Sequence, residues 1–303
     1  MAMVVVTGAS GQLGGRVAAR LAQRGVAQRL VVRDPERAPR PAATPAEPLQ
    51  VSDRPPQGAP VEVAVADFAD PAALRAAFAG ADPLLLVPAT EAADRVGLHA
   101  NTVDAATAAG VSRVVYLSFL GAGPASTFTF ARDHWHTEQL IRASGLEFTF
   151  LRDSLYLDIF PLYVGEDRVL RGPAGDGRVA AVARDDIADA TVAALLEPGH
   201  EGRSYDLTGP EPFSLAQAAA AIGDAAGVPV TYHAETLDEA YRSRARYGAP
   251  DWIVEGWVTT YTAIAAGELD VVSDAVSRLA GHPPMTLAGF LQANPDSVAH
   301  LRH

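Results

Sequence analysis

The chain has 303 residues, 49% hydrophobic and 20% charged, with a net charge of −12; it is long enough for one large α/β domain or for a core domain with a smaller companion. The acidic balance argues against non-specific nucleic-acid binding, which needs a basic face to neutralise phosphates, but leaves room for a local basic pocket. Cysteine is absent, which excludes disulfides, thiolate catalysis and Cys-zinc sites and makes a reducing cytoplasm the simplest home, while the longest apolar runs, such as Leu84–Val87 and Val114–Leu117, are far too short to cross a bilayer.

Met3–Thr7 is an apolar run ended by Gly8, and no basic secretory n-region precedes it. Gln12–Arg24 has helical spacing, with Leu13, Val17 and Leu21 on one face and Gly25 closing it. Arg29–Arg33 reads as a second strand. The segment from Pro39 to Pro60 holds seven prolines and reads as an exposed loop. Val61–Ala66 is a third strand, and Pro71 opens a helix to Phe78, a favoured first-turn position for proline. Leu84–Val87, Arg113–Ser118 and Glu147–Arg152 are further strands. Arg95–Ala109, Phe130–Ala143 and Asp185–Leu195 are helices between and after them.

This alternation predicts an α/β fold, a parallel sheet with helices on both faces; a barrel is the competing architecture, and the glycine-rich loop at Gly8–Gly14 favours the Rossmann-type, doubly wound sheet. After residue 200 the texture becomes helical, at Leu215–Ala226, Asp238–Arg246, Trp252–Ala266, Ser273–Leu279 and Leu287–Leu291, with a short strand at Ser204–Leu207. The expected division is a Rossmann domain over residues 1–155, joined again by 177–200, and a smaller, mostly helical C-terminal lobe over the rest of 156–303.

Thr7-Gly8-Ala9-Ser10-Gly11-Gln12-Leu13-Gly14 gives G-x-x-G-x-x-G between a strand and a helix. One glycine permits a tight turn, another lets the backbone approach a pyrophosphate, and the third lets helix and sheet pack closely. The helix N-terminus then offers free N–H groups and the positive end of its dipole. At the end of the second strand an acidic residue would bind a ribose 2′-hydroxyl, whereas an arginine would accommodate a 2′-phosphate. Val32-Arg33-Asp34-Pro35-Glu36-Arg37 carries both types. Arg33, with Arg37 beyond it, favours NADP(H) over NAD(H), and Asp34 is the counter-argument.

These segments resemble the atypical short-chain dehydrogenase/reductases of the NmrA-like group, and within it the NAD(P)H:quinone oxidoreductase type-2-like proteins. The likeness continues through Ala66–Pro71, Asn101–Gly110, the stretches HTEQLIRASGLEFTFLR and VARDDIADA, and YDLTGPEPFSLAQ. The resemblance implies that Gly8, Ser10, Gly11, Gln12 and Leu13 hold the pyrophosphate and that Arg33 meets the 2′-phosphate. It places Asp67 and Phe68 beside the adenine, and Val87, Pro88 and Ala89 along the cofactor. It places Ser118 and Phe119 beside the nicotinamide, with Arg152, Asp153 and the loop to Tyr156 bordering it.

Typical short-chain dehydrogenases use a Tyr-x-x-x-Lys pair to move the substrate proton. All 24 basic residues here are arginine, so that pair cannot exist, and Phe130 falls near the tyrosine slot. His134, near the lysine slot, is the best remaining polar candidate, able to donate to a cofactor ribose hydroxyl or a substrate carbonyl and to act in catalysis, and Tyr156 is a second catalytic candidate. His134 and His136 do not make a helical metal pair, which needs i, i+4 spacing, and no metal is expected. Phe119, Leu155, Tyr156 and Phe160 would form an apolar, aromatic substrate wall suited to a quinone or aromatic ketone.

The expected activity is NADPH-dependent reduction of a small-molecule quinone or other carbonyl acceptor. The alternatives are a non-catalytic redox sensor acting on a protein partner, and an NADP-retaining epimerase or dehydratase. The sequence is compatible with a homo-oligomer and names neither substrate nor hydride face.

Overall fold

The computed structural model describes residues 3–39 and 59–302. Nearly all of the Pro39–Pro60 segment therefore lies outside the described residues. The chain begins with β1 (Met3–Val6), α1 (Gln12–Gln23) and β2 (Gln28–Val32), followed by β3 (Val61–Val65), α2 (Pro71–Phe78) and β4 (Ala81–Leu86). Next come α3 (Arg95–Ala109), β5 (Arg113–Phe119), α4 (Thr129–Ala143) and β6 (Glu147–Asp153). After β7 (Val169–Gly172) and β8 (Arg178–Val179) run α5 (Arg184–Leu196) and β9 (Arg203–Leu207).

The main sheet has seven strands in the order β3-β2-β1-β4-β5-β6-β9, and every neighbouring pair is parallel. The first six follow the doubly wound dinucleotide-binding order, which reverses direction between β1 and β4 and opens a crevice there. Valine and leucine runs form the central strands because both faces are covered. Val4, Val6, Leu85 and Leu117 pack under α1 and α5, whereas Val5, Leu84, Leu86 and Phe150 pack under α2, α3 and α4.

Local signals set several helix ends. Pro71 follows Asp70, whose carboxylate accepts the N–H groups of Ala72 and Ala73. Gly110 ends α3 in the left-handed conformation.

The C-terminal part adds β10 (Phe213–Ser214), α6 (Leu215–Ala226), β11 (Thr231–Ala234), α7 (Leu237–Ala245), α8 (Asp251–Ala265), α9 (Ala275–Ala280) and α10 (Leu287–Ala293). Ser214 with Gln217 and Thr236 with Glu239 form capping boxes at α6 and α7. A separate core of this lobe gathers Leu170, Phe213, Ile222, Tyr261, Ile264 and Phe290. Two short pairings, β8 with β10 and β7 with β11, hold the lobe's segments together.

Two features differ from the expected division. β9, assigned by the sequence to the smaller lobe, is the seventh strand of the main sheet, paired with β6. α9 also returns to the sheet, where Ala275, Val276 and Leu279 join the core beneath α5. The lobes meet where α8 packs on α4: the Phe130 ring sits over Gly256, leaving no room for a β-carbon. The residue in the expected tyrosine slot is thus part of an interlobe joint.

Candidate functional site

The glycine loop closes the crevice between β1 and β4. Thr7 pins it, its hydroxyl accepting the Val87 N–H at 2.9 Å and donating to the Leu85 carbonyl at 3.1 Å. Gly8 has φ +59°, and a β-carbon there would lie 3.1 Å from the Val87 β-carbon. A β-carbon on Gly14 would overlap the Gly8 carbonyl, so only glycine lets α1 approach the loop this closely. Gly11 caps α1 with no side-chain hydrogen bond, and the first turn has no acidic residue. The helix therefore presents uncompensated N–H groups suited to a phosphate.

A cleft of about 490 Å³ opens in front of this loop. It brings together the expected Gly8, Ser10, Gly11, Arg33, Asp67, Phe68, Val87, Pro88 and Ala89, and adds Arg37, Thr90, Glu91 and Leu98. Arg33 and Arg37 are exposed, and neither is in an ion pair among the described residues. Asp34 caps the following turn, its carboxylate accepting the Glu36 N–H at 3.0 Å. Asp67 forms a similar local turn with the Ala69 N–H, and the Phe68 ring meets His99 edge-on.

The other expected residues lie outside this cleft lining. Gln12 and Leu13 belong to the first turn of α1, where their backbone rather than their side chains would serve an anion. Ser118 donates to Glu138 at 2.7 Å, and Arg152 holds the same carboxylate bidentately at 2.8 and 2.6 Å. Both side chains are thus committed to a buried network under α4. Burial pushes the Asp153 carboxyl well above the usual range, and one of its oxygens has no partner among the described residues. The other accepts from the Tyr156 hydroxyl at 3.2 Å. Tyr156 is raised in turn by burial, and the Arg184 guanidinium lies 4.5 Å over its ring.

Phe119 faces the Phe128 ring at 4.9 Å and the His134 ring at 6.2 Å. Phe160 requires a correction: it is 1% exposed and packs against Phe213 and Tyr163 in the lobe's core, so it offers no surface to a substrate. Leu155 belongs to the same core at 8% exposure.

His134 is buried. Its Nε2 faces the Arg95 guanidinium at 3.4 Å, and its Nδ1 meets the Tyr116 hydroxyl at 2.9 Å. Arginine can only donate, so Nε2 accepts and Nδ1 carries the proton. Burial, then Arg95 and His99, holds the imidazole well below its ordinary pKa. No group of three or more metal-ligating side chains occurs among the described residues. No described helix is long and apolar enough to cross a membrane.

A model of the NAD(P)H-binding family matches residues 8–198. The chain belongs to this family. It is 35% identical over 307 residues to Quinone oxidoreductase 2 of Escherichia coli, covering 99% of this chain and 98% of that protein. The crystal structure of the NADPH-dependent quinone oxidoreductase QOR2 of Escherichia coli complexed with NADPH superposes with a TM-score of 0.83 at 33% identity, covering 96% of this chain and 99% of that one. The NmrA-like family domain-containing oxidoreductase flvB of Aspergillus flavus is 30% identical over 195 residues, 62% of this chain and 63% of that protein. The NmrA-like resemblance is thereby borne out.

Against that family background, one cluster went unread in the sequence. Arg95 and His99 lie one turn apart on α3, and both reach the loop after β4. Arg95 donates to the Ala89 carbonyl at 2.9 Å, while His99 Nε2 accepts the Ala89 N–H at 2.9 Å. His99 Nδ1 meets Thr137, whose hydroxyl donates to the Asp133 carbonyl. Their i, i+4 spacing was the available signal; their shared target was not visible without β4 in place.

Proposed function

We propose that this member of the NAD(P)H-binding family is an NADPH-dependent reductase acting on a quinone or similarly flat conjugated carbonyl acceptor. The observation that carries the reading is the cleft itself: an uncapped helix N-terminus behind three close-packed glycines, with Arg33 and Arg37, neither in an ion pair among the described residues, at the outer end. The fit to a phosphorylated dinucleotide is steric and electrostatic. Gly8, Ser10, Gly11 and the first turn of α1 would hold the pyrophosphate, and Arg33 with Arg37 would hold a 2′-phosphate. Asp34 is turned into its own cap and away from that task, which favours NADP(H) over NAD(H).

When bound, the dinucleotide supplies a hydride. The chain's residues orient and enclose. Asp67 and Phe68 flank the adenine, and Val87–Ala89 run along the middle. Arg95 and His99 clamp both backbone groups of Ala89 and so fix that wall. Phe119 and Tyr156 border the reacting end. His134 acts as a positioning residue for Arg95 rather than as an acid, because its one N–H is given to Tyr116. Tyr156 likewise gives its proton to Asp153. With a hydride supplied, reduction of a quinone to the hydroquinone takes up one further proton, which bulk water can provide to the product oxygen; the missing Tyr–Lys pair is no obstacle to that reaction.

The test is turnover of NADPH by the purified protein with a panel of quinones and aromatic ketones. Consumption above background, faster with NADPH than with NADH, is expected. Tight NADPH binding without consumption would overturn the reductase reading in favour of a dinucleotide-sensing role.

A further inference from the structure

A second concave site lies wholly in the smaller lobe. A cavity of about 450 Å³ opens between the turn at Leu162–Gly165, β7, the end of α7 and one face of α8. It shares no lining residue with the dinucleotide cleft. Its wall is aromatic and cationic: Tyr163, Tyr247, Trp257 and Tyr261 supply rings, Arg171, Arg244 and Arg246 supply guanidinium groups, and no lining residue is acidic.

Three observations set this wall apart from ordinary surface. Four aromatic side chains are exposed among the described residues, and three of them line this one cavity: Tyr163 at 39%, Tyr247 at 61% and Trp257 at 37%. Concentrated exposed apolar surface of this kind marks binding sites. The rings are also pre-arranged, with Tyr247 edge-on to Trp257 at 5.8 Å and Tyr163 tilted against Tyr261 at 6.0 Å.

The third observation is charge. Arg244 is nearly buried, paired with Glu235 at 2.8 Å and stacked over Tyr261 at 5.0 Å. Arg171 is paired with Asp167. Arg246 has no carboxylate partner among the described residues; it lies 5.0 Å over the Tyr247 ring and donates to the Tyr247 hydroxyl. One guanidinium at the mouth of an aromatic cavity is therefore uncompensated, in a chain whose net charge is −12. Tyrosine hydroxyls keep their protons near pH 7, so the ring wall adds no negative charge there.

We propose that this cavity is a second ligand site, specific for a flat aromatic monoanion, a carboxylate or sulfonate of one or two fused rings. The volume suits such a ligand. The ring would lie among Tyr247, Trp257 and Tyr261, with the anion on the planar fork of Arg246, a geometry that lysine could not offer. The glycine loop and free helix N-terminus that would suit a pyrophosphate are in the other cleft. This inference stands independently of the reductase reading.

The experiment uses the full chain saturated with NADP⁺ and two probes of equal shape, 2-naphthoate and neutral 2-naphthamide, followed by calorimetry. 2-Naphthoate is expected to bind in the presence of NADP⁺, at least tenfold tighter than the amide. Arg246→Ala should cost about that same factor for the carboxylate, with the affinities for the amide and for NADP⁺ unchanged. The unchanged NADP⁺ affinity reports that the variant is folded. The proposal is overturned if 2-naphthoate does not bind at millimolar concentration, or if NADP⁺ displaces it. It is equally overturned if the amide binds as well as the acid, or if Arg246→Ala leaves carboxylate affinity intact.

Discussion

The Nδ1–H of His134 donates to the Tyr116 hydroxyl at 2.9 Å, leaving Nε2 bare toward Arg95. Both partners are buried, so the bond cannot be replaced by water. Tyr116→Phe should lower unfolding stability by about 1–3 kcal/mol, the usual cost of stranding a buried polar group. Urea unfolding measures that loss. Burial, then Arg95 and His99, also holds the His134 imidazole well below its ordinary pKa, so no imidazole inflection is expected between about pH 6 and 8. A wild-type kcat profile with an inflection in that range, lost in His134→Gln, would show instead that the imidazole exchanges protons.

His99 makes the fold acid-sensitive. Burial and Arg95 lower its pKa to about 3, from 6.5 in the unfolded chain. Between those values the unfolded state binds the extra proton, so stability is full above about pH 6.5 and declines as pH falls toward 3. His99→Gln, which keeps an acceptor for the Ala89 N–H, should flatten this decline. Unfolding free energies measured across pH 4–7 for both proteins check it, and parallel curves would remove His99 as the source.

The phosphate loop was legible in the sequence because its constraints are local: a positive φ at Gly8 and the close approach at Gly14 leave glycine no substitute. The parallel sheet was legible for the same kind of reason, since strands buried on both faces read as continuous Val/Leu runs. What failed was non-local. β9, with the sequence RSYDL, is half exposed, and only its pairing with β6 shows that it belongs to the main sheet. The strands at 169–172 and 231–234 are four residues each and exist by pairing with one another. Phe160 read as a pocket aromatic because a sequence cannot say which side of a loop faces the core. The shared bond of Ser118 and Arg152 to Glu138, twenty and fourteen residues away, likewise has no local signature in the sequence.

Arg33 should decide cofactor choice. A charge-assisted hydrogen bond to a phosphate is worth about 1.5–3 kcal/mol, or roughly a 10- to 100-fold change in affinity. Arg33→Ala should therefore raise the NADPH dissociation constant by that factor and leave NADH within about threefold. The double change with Arg37→Ala should bring the two cofactors to parity. Equal losses for NADPH and NADH would place these arginines elsewhere on the dinucleotide.

Asp153 has the opposite pH signature to His99. Its carboxyl is raised well above the ordinary value by burial, with the Tyr156 hydroxyl only partly offsetting this. The folded state therefore holds a proton that the unfolded chain releases, and this contribution is full below the unfolded pKa near 3.9 and is lost as pH rises through the folded value. Asp153→Asn keeps the shape without the charge. It should unfold at higher denaturant concentration than wild type at pH 8 and match it near pH 4. A variant less stable than wild type at pH 8 would mean that the ionised carboxylate has a partner.

Arg152 and Glu138 offer the most direct test of what holds β6 to α4. Glu138 has no exposed surface and accepts from two side chains among the described residues: Ser118 at one oxygen, and Arg152 across both. Arg152→Met removes the cation and leaves a buried carboxylate, a change that costs about 3–5 kcal/mol in comparable settings. Glu138→Gln in the Arg152→Met background removes the stranded charge while keeping an acceptor for Ser118. The double variant should therefore recover more than half of the loss, giving a strongly non-additive cycle. If the two substitutions add, the carboxylate is protonated or otherwise neutralised once Arg152 is gone, and the pair does not hold the strand by charge.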